Sequence, residues 1–177
     1  MVKKLSKFIG YFLFFIMALI VFMPKSSLYF LGEKNLKKQN IIISNEKIEE
    51  NLFSLNISDM DLYVKGIQSA KIKEADITFL LFYNSVDIKD IKISSVAEAY
   101  LPTNIDRVNI NYTIFNPLVV NATSKGGFGQ IRAKVNLLDR KIKVYLKPSK
   151  KMLRKYSRSM RYFKKDAKGE YVYAKTF

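Results

Sequence analysis

The sequence predicts a mainly β protein: one N-terminal transmembrane helix, an antiparallel curved sheet or open sandwich, and one C-terminal amphipathic helix. Three observations carry this. An apolar run from Phe8 to Met23 holds no charge and is relieved only by Gly10. From Ile41 onward apolar and polar residues alternate with period two, the pattern of strands with one face on a core and the other in water. After Pro148 the apolar spacing changes to that of a helix.

The chain opens with a basic tail, residues 1–7, where Lys3, Lys4 and Lys7 face no acid. Residues 8–25 form the anchor. Its run of 16 residues from Phe8 to Met23 covers about 24 Å at about 1.5 Å each, short of a hydrocarbon core of about 30 Å. Snorkelling of Lys7 and Lys25, with Leu5 and Leu28 drawn in, closes the gap. A cleaved signal peptide needs a small-x-small site after the run, and Val21-Phe22-Met23-Pro24-Lys25 supplies none, so the segment reads as an uncleaved signal anchor. Basic residues on the two flanks nearly balance. The N-terminal ones lie nearer the span and short tails seldom cross, which favours an N-terminus in the cytoplasm and the body on the far side. An Ile-, Lys- and Asn-rich composition suits a bacterium with an AT-rich genome, and the expected location is a bacterial inner membrane with the body in the periplasm.

Residues 26–40 read as a linker, with a short helix as the alternative for the polar stretch Gly32 to Asn40, and residues 41–177 as one β-rich domain. Phe53, Leu55 and Ile57 alternate with Ser54 and Asn56; Val108, Ile110 and Tyr112 with Asn109 and Asn111; Ile142, Val144 and Leu146 with Lys143 and Tyr145. The β-branched and aromatic content agrees. Gln130 to Lys147 reads as a hairpin turning at Leu138-Asp139-Arg140. Gly126-Gly127-Phe128-Gly129 marks a turn or bulge; the residues after it alternate as a strand, so it is not a phosphate loop. Asn116-Pro117 points to an edge or corner. Phe79-Leu80-Leu81-Phe82-Tyr83, the densest apolar stretch of the body, reads as a buried strand.

The C-terminal segment holds most of the charge. The chain carries a net +16, of which residues 140–177 supply +12, and from Arg140 to Lys165 there are twelve basic residues and no acid. Ser149 is placed to cap a helix over 149–165. Met152, Leu153, Tyr156, Met160 and Phe163 form its apolar stripe, while Lys150, Lys151, Arg154, Lys155, Arg158, Arg161, Lys164 and Lys165 cover the other faces. The stripe is expected to dock on the open sheet face. The basic face is the candidate binding surface for a partner protein or an anionic membrane, where each cation near the surface is worth about 1 kcal/mol. Asp166 to Gly169 stops the helix and Glu170 to Phe177 forms a last strand.

Composition removes most catalytic chemistry. With no Cys and no His, disulfides, thiolate or imidazole metal sites, cysteine nucleophiles and a Ser-His-Asp triad are excluded. The acids are scattered, no metal-ligand spacing appears, and no catalytic residue, cofactor or metal is expected.

The anchor ending Met23-Pro24, the stretch Asn116-Pro117-Leu118-Val119-Val120, and the run Gly126 to Val135 leading into Lys141 to Ser149 resemble the bacterial type II secretion protein N family, and more loosely the AsmA-like envelope proteins. The resemblance implies a short anchor followed by a β-rich periplasmic part, and an accessory inner-membrane component of a secretion, pilus or transformation apparatus with no catalytic residues. Three functions are therefore expected, in this order. The first is a non-enzymatic single-pass assembly component that binds other envelope proteins. The second is an envelope lipid-handling protein whose sheet presents an apolar groove. Last comes a DNA-contacting component acting through the basic segment, sequence-blind and salt-sensitive.

Overall fold

The computed structural model describes residues 2–96, 102, 104–167 and 169–177; Met1, the side chain of Lys3, and Lys168 in the expected helix stop lie outside the described residues. Helix α1 (Val2–Val21) is followed after Pro24 by α2 (Lys25–Lys38). The strands are β1 (Ile41–Ser44), β2 (Lys47–Glu50), β3 (Ser54–Val64), β4 (Ile67–Phe79), β5 (Tyr83–Ile93), β6 (Asn104–Thr113), β7 (Val119–Gly126), β8 (Gly129–Asn136) and β9 (Lys141–Pro148). Two short helices, α3 (Lys150–Lys155) and α4 (Ser157–Met160), precede β10 (Lys164–Lys165) and β11 (Tyr171–Thr176).

All strands join one open antiparallel sheet in the order β1-β3-β4-β5-β6-β7-β8-β9-β11-β10, with β2 pairing β3 below β1. It is a single layer, not a sandwich. From β3 to β9 each strand pairs with its neighbours in sequence, a meander. The hairpin between β8 and β9 turns as the sequence predicts: Asn136 Oδ1 accepts from the amides of Leu138 (3.0 Å) and Asp139 (3.1 Å), and Arg140 takes a left-handed φ of 47°.

Four strands break the period of two together. Apolar inward residues step by three, not two, from Ile57 to Met60, Ile72 to Ala75, Ile88 to Ile91 and Ile105 to Val108. The steps lie on one line across the sheet. Asp59 and Asp90 have φ values of 59° and 53°, and the β6–β7 register shifts between Ile105 and Arg107. A left-handed residue inside a strand turns the following side chain to the opposite face. Asp tolerates this conformation better than most side chains. The shared crease keeps apolar residues on one face along the full length of the strands.

Both helical segments cover this inner face. α2 lies over β1–β4, where Tyr29 packs on a cluster of Leu55, Ile57, Met60 and Ala75. At the other end Met152, Tyr156 and Met160 pack with Phe128 and Leu146, flanked by Ile131 and Tyr171. Docking of the basic segment through its apolar stripe therefore occurs as expected for Met152, Tyr156, Met160 and Phe163, while Leu153 is exposed; Ser149 Oγ accepts from the Met152 amide at 3.0 Å.

Four expectations are corrected. Residues 26–40 are not a linker; the short-helix alternative holds, in a helix that begins earlier, at Lys25, with Tyr29 and Leu36 on the sheet side and a cap supplied by Glu50 from outside its own sequence. The anchor expected over 8–25 is helical from Val2 and stops at Val21, where the chain turns through Phe22 to Pro24. The helix expected over 149–165 is two short pieces broken at Tyr156 (φ −118°, ψ 33°), and Lys164 and Lys165 lie in a strand. A run of like charges without acids offers no i,i+4 pairing, and packing Met152, Tyr156 and Met160 on one small patch holds the two pieces without a continuous helix. Finally, Phe79 to Tyr83 is not a buried strand: Leu80, Leu81 and Phe82 form the exposed turn between β4 and β5.

Candidate functional site

The inner face is built from cross-strand rows. One row of facing residues runs Leu55, Ile77, Val86 and Ile110, then Ala122, Ala133, Val144 and Tyr173. The adjacent row nearer the β4–β5 turn carries Tyr112, Val120, Val135 and Ile142. α2 covers the start of these rows and α3–α4 the far end of β8, β9 and β11. Between them the side chains of Val86, Ile110, Val120, Ala122, Ala133 and Val135 are only half-buried. A fully packed sheet would bury both ends and middle alike. The smallest side chains, Ala122 and Ala133, face each other at the centre and leave a shallow trough two strands wide, about 10 Å at about 4.8 Å per strand.

Under α2 the uncovered face deepens into a groove of about 390 Å3. Leu28, Tyr29 and Leu36 form its roof; Ile43, Ile57, Ile72 and Ile77 are among the residues of its floor, and Val86 and Ile88 lie on its β5 side. The Tyr29 hydroxyl is buried there with no hydrogen-bond partner among the described residues. Burial, reinforced by Glu46 and Glu33, raises its pKa far above the usual tyrosine range. A lone hydroxyl in an apolar groove is a donor that a ligand carbonyl or ester oxygen satisfies.

The outer face is polar and knitted by charge. Arg107 donates two hydrogen bonds to Asp87 (2.6 and 2.5 Å), holding that carboxyl below the ordinary range. Lys89 bridges Glu74 and Asp76 at 3.3 Å each, and hydrogen bonds to Asp76 and then Glu74 raise its pKa. Arg132 and Lys147 converge on Glu170 (2.7 and 3.3 Å). The crease forms a polar cleft of about 550 Å3 lined in part by Asp59, Lys73, Asp90 and Asp106, where Lys47 pairs with Asp59 (2.8 Å) and Lys73 with Asp90 (3.7 Å). Among the described residues no group of three or more acidic, His or Cys side chains is placed to hold a metal ion.

The eight basic residues singled out in the sequence are all exposed. Lys150, Lys151, Arg154 and Lys155 lie on α3, Arg158 on α4, Arg161 just after it, and Lys164 and Lys165 on β10. Among the described residues none of them makes an ion pair; Lys155 lies 5.8 Å from the Tyr156 ring centroid. They gather at one end of the sheet, the end where β9 finishes.

α1 is long and apolar enough to cross a membrane over Lys4–Val21. Its end is clasped to the sheet. Lys25 is buried, with Nζ donating to the carbonyls of Val21 (3.4 Å) and Met23 (3.3 Å) and paired with Glu50 (3.7 Å). Glu50 also accepts from the amides of Lys25 (3.2 Å) and Ser26 (3.1 Å) and from Ser26 Oγ (2.5 Å). These bonds satisfy the first free N–H groups of α2, and the two from Ser26 do most to lower the Glu50 pKa.

No family model, curated protein or solved structure matches this chain. Its own geometry therefore has to carry the functional reading. The open trough and the α2 groove escaped the sequence reading at residue level. The step of three in the apolar pattern, repeated at Ile57–Met60, Ile72–Ala75, Ile88–Ile91 and Ile105–Val108, was the available signal that one continuous apolar face was being maintained.

Proposed function

We propose that the chain is a non-enzymatic, membrane-anchored lipid-handling protein of a bacterial envelope, holding an acyl chain on the inner face of its sheet. The observation that supports this best is the uncovered apolar face between α2 and α3–α4, continuous with the apolar groove beneath α2. Pocket linings that suit lipid tails are apolar with few polar groups, and the groove offers Tyr29 and little else that is polar. α1 serves as the uncleaved anchor in the inner membrane, with the sheet on the periplasmic side. An AsmA-like placement fits the same arrangement of short anchor and open β domain.

Native mass spectrometry of the full chain, released from a mild detergent, tests the reading. A phospholipid or fatty-acyl adduct that survives detergent removal is expected. A chain that stays free of adducts when extracted from its own membrane and when incubated with phospholipid overturns it.

A second reading, the assembly component of a secretion, pilus or transformation apparatus, is favoured by the exposed cations from Lys150 to Lys165 and by the last strand. β10 covers only Tyr171 and Val172 of β11, leaving Tyr173 to Thr176 as an open edge that an envelope partner protein could extend. Crosslinking from residues in α3 to one stoichiometric protein, with no lipid adduct, would favour it over the first. Nucleic acid ranks behind both, since no base-reading element accompanies the charge.

A further inference from the structure

Resting on the anchored reading above, we infer that the sheet ends in a bilayer-contacting rim at the same end as the anchor's exit. The meander places four connections at that end: residues 51–53, 80–82, 114–118 and 137–140, joined by the C-terminal Phe177. Within the four loops only Asp139 and Arg140 are charged. Their apolar side chains point to water: Phe115 is 83% exposed, Leu138 72%, Leu52 63% and Phe82 52%. Solvated turns are normally built from Gly, Asn, Asp, Ser and Pro. Leu80-Leu81-Phe82 has none of these, and an apolar patch of this kind on a soluble surface marks an interaction site.

The loops form one continuous line. The Phe79 amide donates to Phe53 O (2.8 Å), Ile114 to Phe82 O (3.3 Å), Leu137 to Leu118 O (2.8 Å) and Phe177 to Arg140 O (2.9 Å). The rings of Phe82 and Phe115 stack across two loops with centroids 6.1 Å apart. A protein partner is one conceivable cover. The bilayer is the occupant the structure favours, because the Glu50 clasp fixes where α1 ends. Glu50 is the last residue of β2, next to the first rim loop, and it binds Lys25 and Ser26 just after the anchor. An anchor that leaves the hydrocarbon at Met23 therefore sets the rim at the membrane surface. α2 runs from Lys25 away from that end, since the Lys65 amide at the opposite end donates to Asn40 O (2.7 Å) just beyond the helix.

Charge is segregated accordingly. The basic cluster leaves β9 at Pro148, eight residues from the rim, about 26 Å at about 3.3 Å per residue. The cations thus face away from the membrane that holds the anchor, and the inner trough opens at its lower edge, through Tyr112, Val120 and Val135, onto the rim.

The chain has no cysteine, so single labelling sites are clean. The full chain is reconstituted in phosphatidylethanolamine–phosphatidylglycerol vesicles with an environment-sensitive fluorophore on Leu13→Cys, Phe115→Cys, Leu138→Cys or Lys65→Cys. Labels at 115 and 138 are expected to shift to the blue and to be quenched by lipids carrying a shallow spin label. The label at 13 should be quenched by a deep one, and the label at 65 by aqueous iodide alone. Iodide quenching at 115 and 138 equal to that at 65, with 13 still quenched from within the bilayer, overturns the rim and leaves the anchor standing. Blue-shifted labels at 115 and 138 that no lipid quencher reaches overturn it in favour of a protein cover. Failure at 13 removes the anchor, and the rim inference stands only if 115 and 138 remain lipid-quenched.

Discussion

Replacing Ala122 and Ala133 together by Phe separates an open sheet face from a covered one. The two residues face each other at the centre of the inner face, and neither α2 nor α3–α4 packs on them. If a second layer lay over this point, two added rings would overpack it at about 1–3 kcal/mol each. On an open face the rings meet no layer. The cost should fall within about 0.5 kcal/mol of zero, offset in part by the better strand propensity of Phe. Lipid binding should respond the opposite way. Two rings in the trough cover only part of its width, so we take the loss as about four methylenes of a bound chain lifted from the sheet, at the per-methylene value for buried apolar groups. At about 0.8 kcal/mol per methylene this is about 3 kcal/mol, or about a hundredfold in affinity. Urea unfolding of the full chain in detergent reads the first quantity, and displacement of a fluorescent acyl-chain probe reads the second. Unchanged probe affinity in a folded double variant would refute the trough as the acyl site. A loss of more than about 2 kcal/mol in stability would show the face to be covered.

Three other outcomes rest on the packing and the charges. Gly129→Ala should destabilise the chain by about 2–5 kcal/mol, because at φ +113° its Cβ would run into Lys147 O and stand 2.7 Å from the Ser149 amide, both backbone; a urea midpoint like that of the parent would contradict this. Leu55→Ala, at a fully buried position beneath α2, should cost about 2–5 kcal/mol and loosen α2, read as faster amide exchange over 25–38. Acid should weaken the fold through Asp87, held low first by its Arg107 hydrogen bonds, and Asp61, held low first by its Asn45 hydrogen bond. A depressed folded pKa gives stability that is complete above the unfolded value near about 4 and lost as pH falls through the folded one. Asp87→Asn should therefore flatten the acid limb of a stability–pH curve, and an unchanged limb would count against the ion pair. The raised Tyr29 pKa has the opposite sense: its contribution is intact below about pH 10 and lost as pH rises beyond it. Tyr29→Phe should leave the chain more resistant to alkali.

Much of the architecture was legible because it is local. The apolar span of Phe8 to Met23, the alternation from Phe53 to Ile57 and from Ile142 to Leu146, and the Asp139 turn depend on neighbours in sequence. The C-terminal stripe was readable as a docking surface, since Met152, Tyr156 and Met160 lie on one side of any helical turn. α2 was legible only as an alternative to a linker and only from Gly32, because what makes it a helix against the sheet lies elsewhere: its N-terminus is capped by Glu50, and Tyr29 finds its apolar partners on β3 and β4. The Leu80–Phe82 turn was misread because apolar residues without Gly or Pro look like strand.

Period, charge and the absence of Cys and His were enough to determine a β-rich chain with one apolar helix long enough to cross a membrane, and a basic end. Hydrophobic burial is averaged over a face, so alternation alone says that a face is apolar and not what covers it. Tertiary structure decided that: helices at the two ends of the inner face, two half-buried alanines facing each other between them, and four turns aligned beside the residue that binds the start of α2. Each is a juxtaposition of residues tens of positions apart, fixed by strand register and not by any local preference.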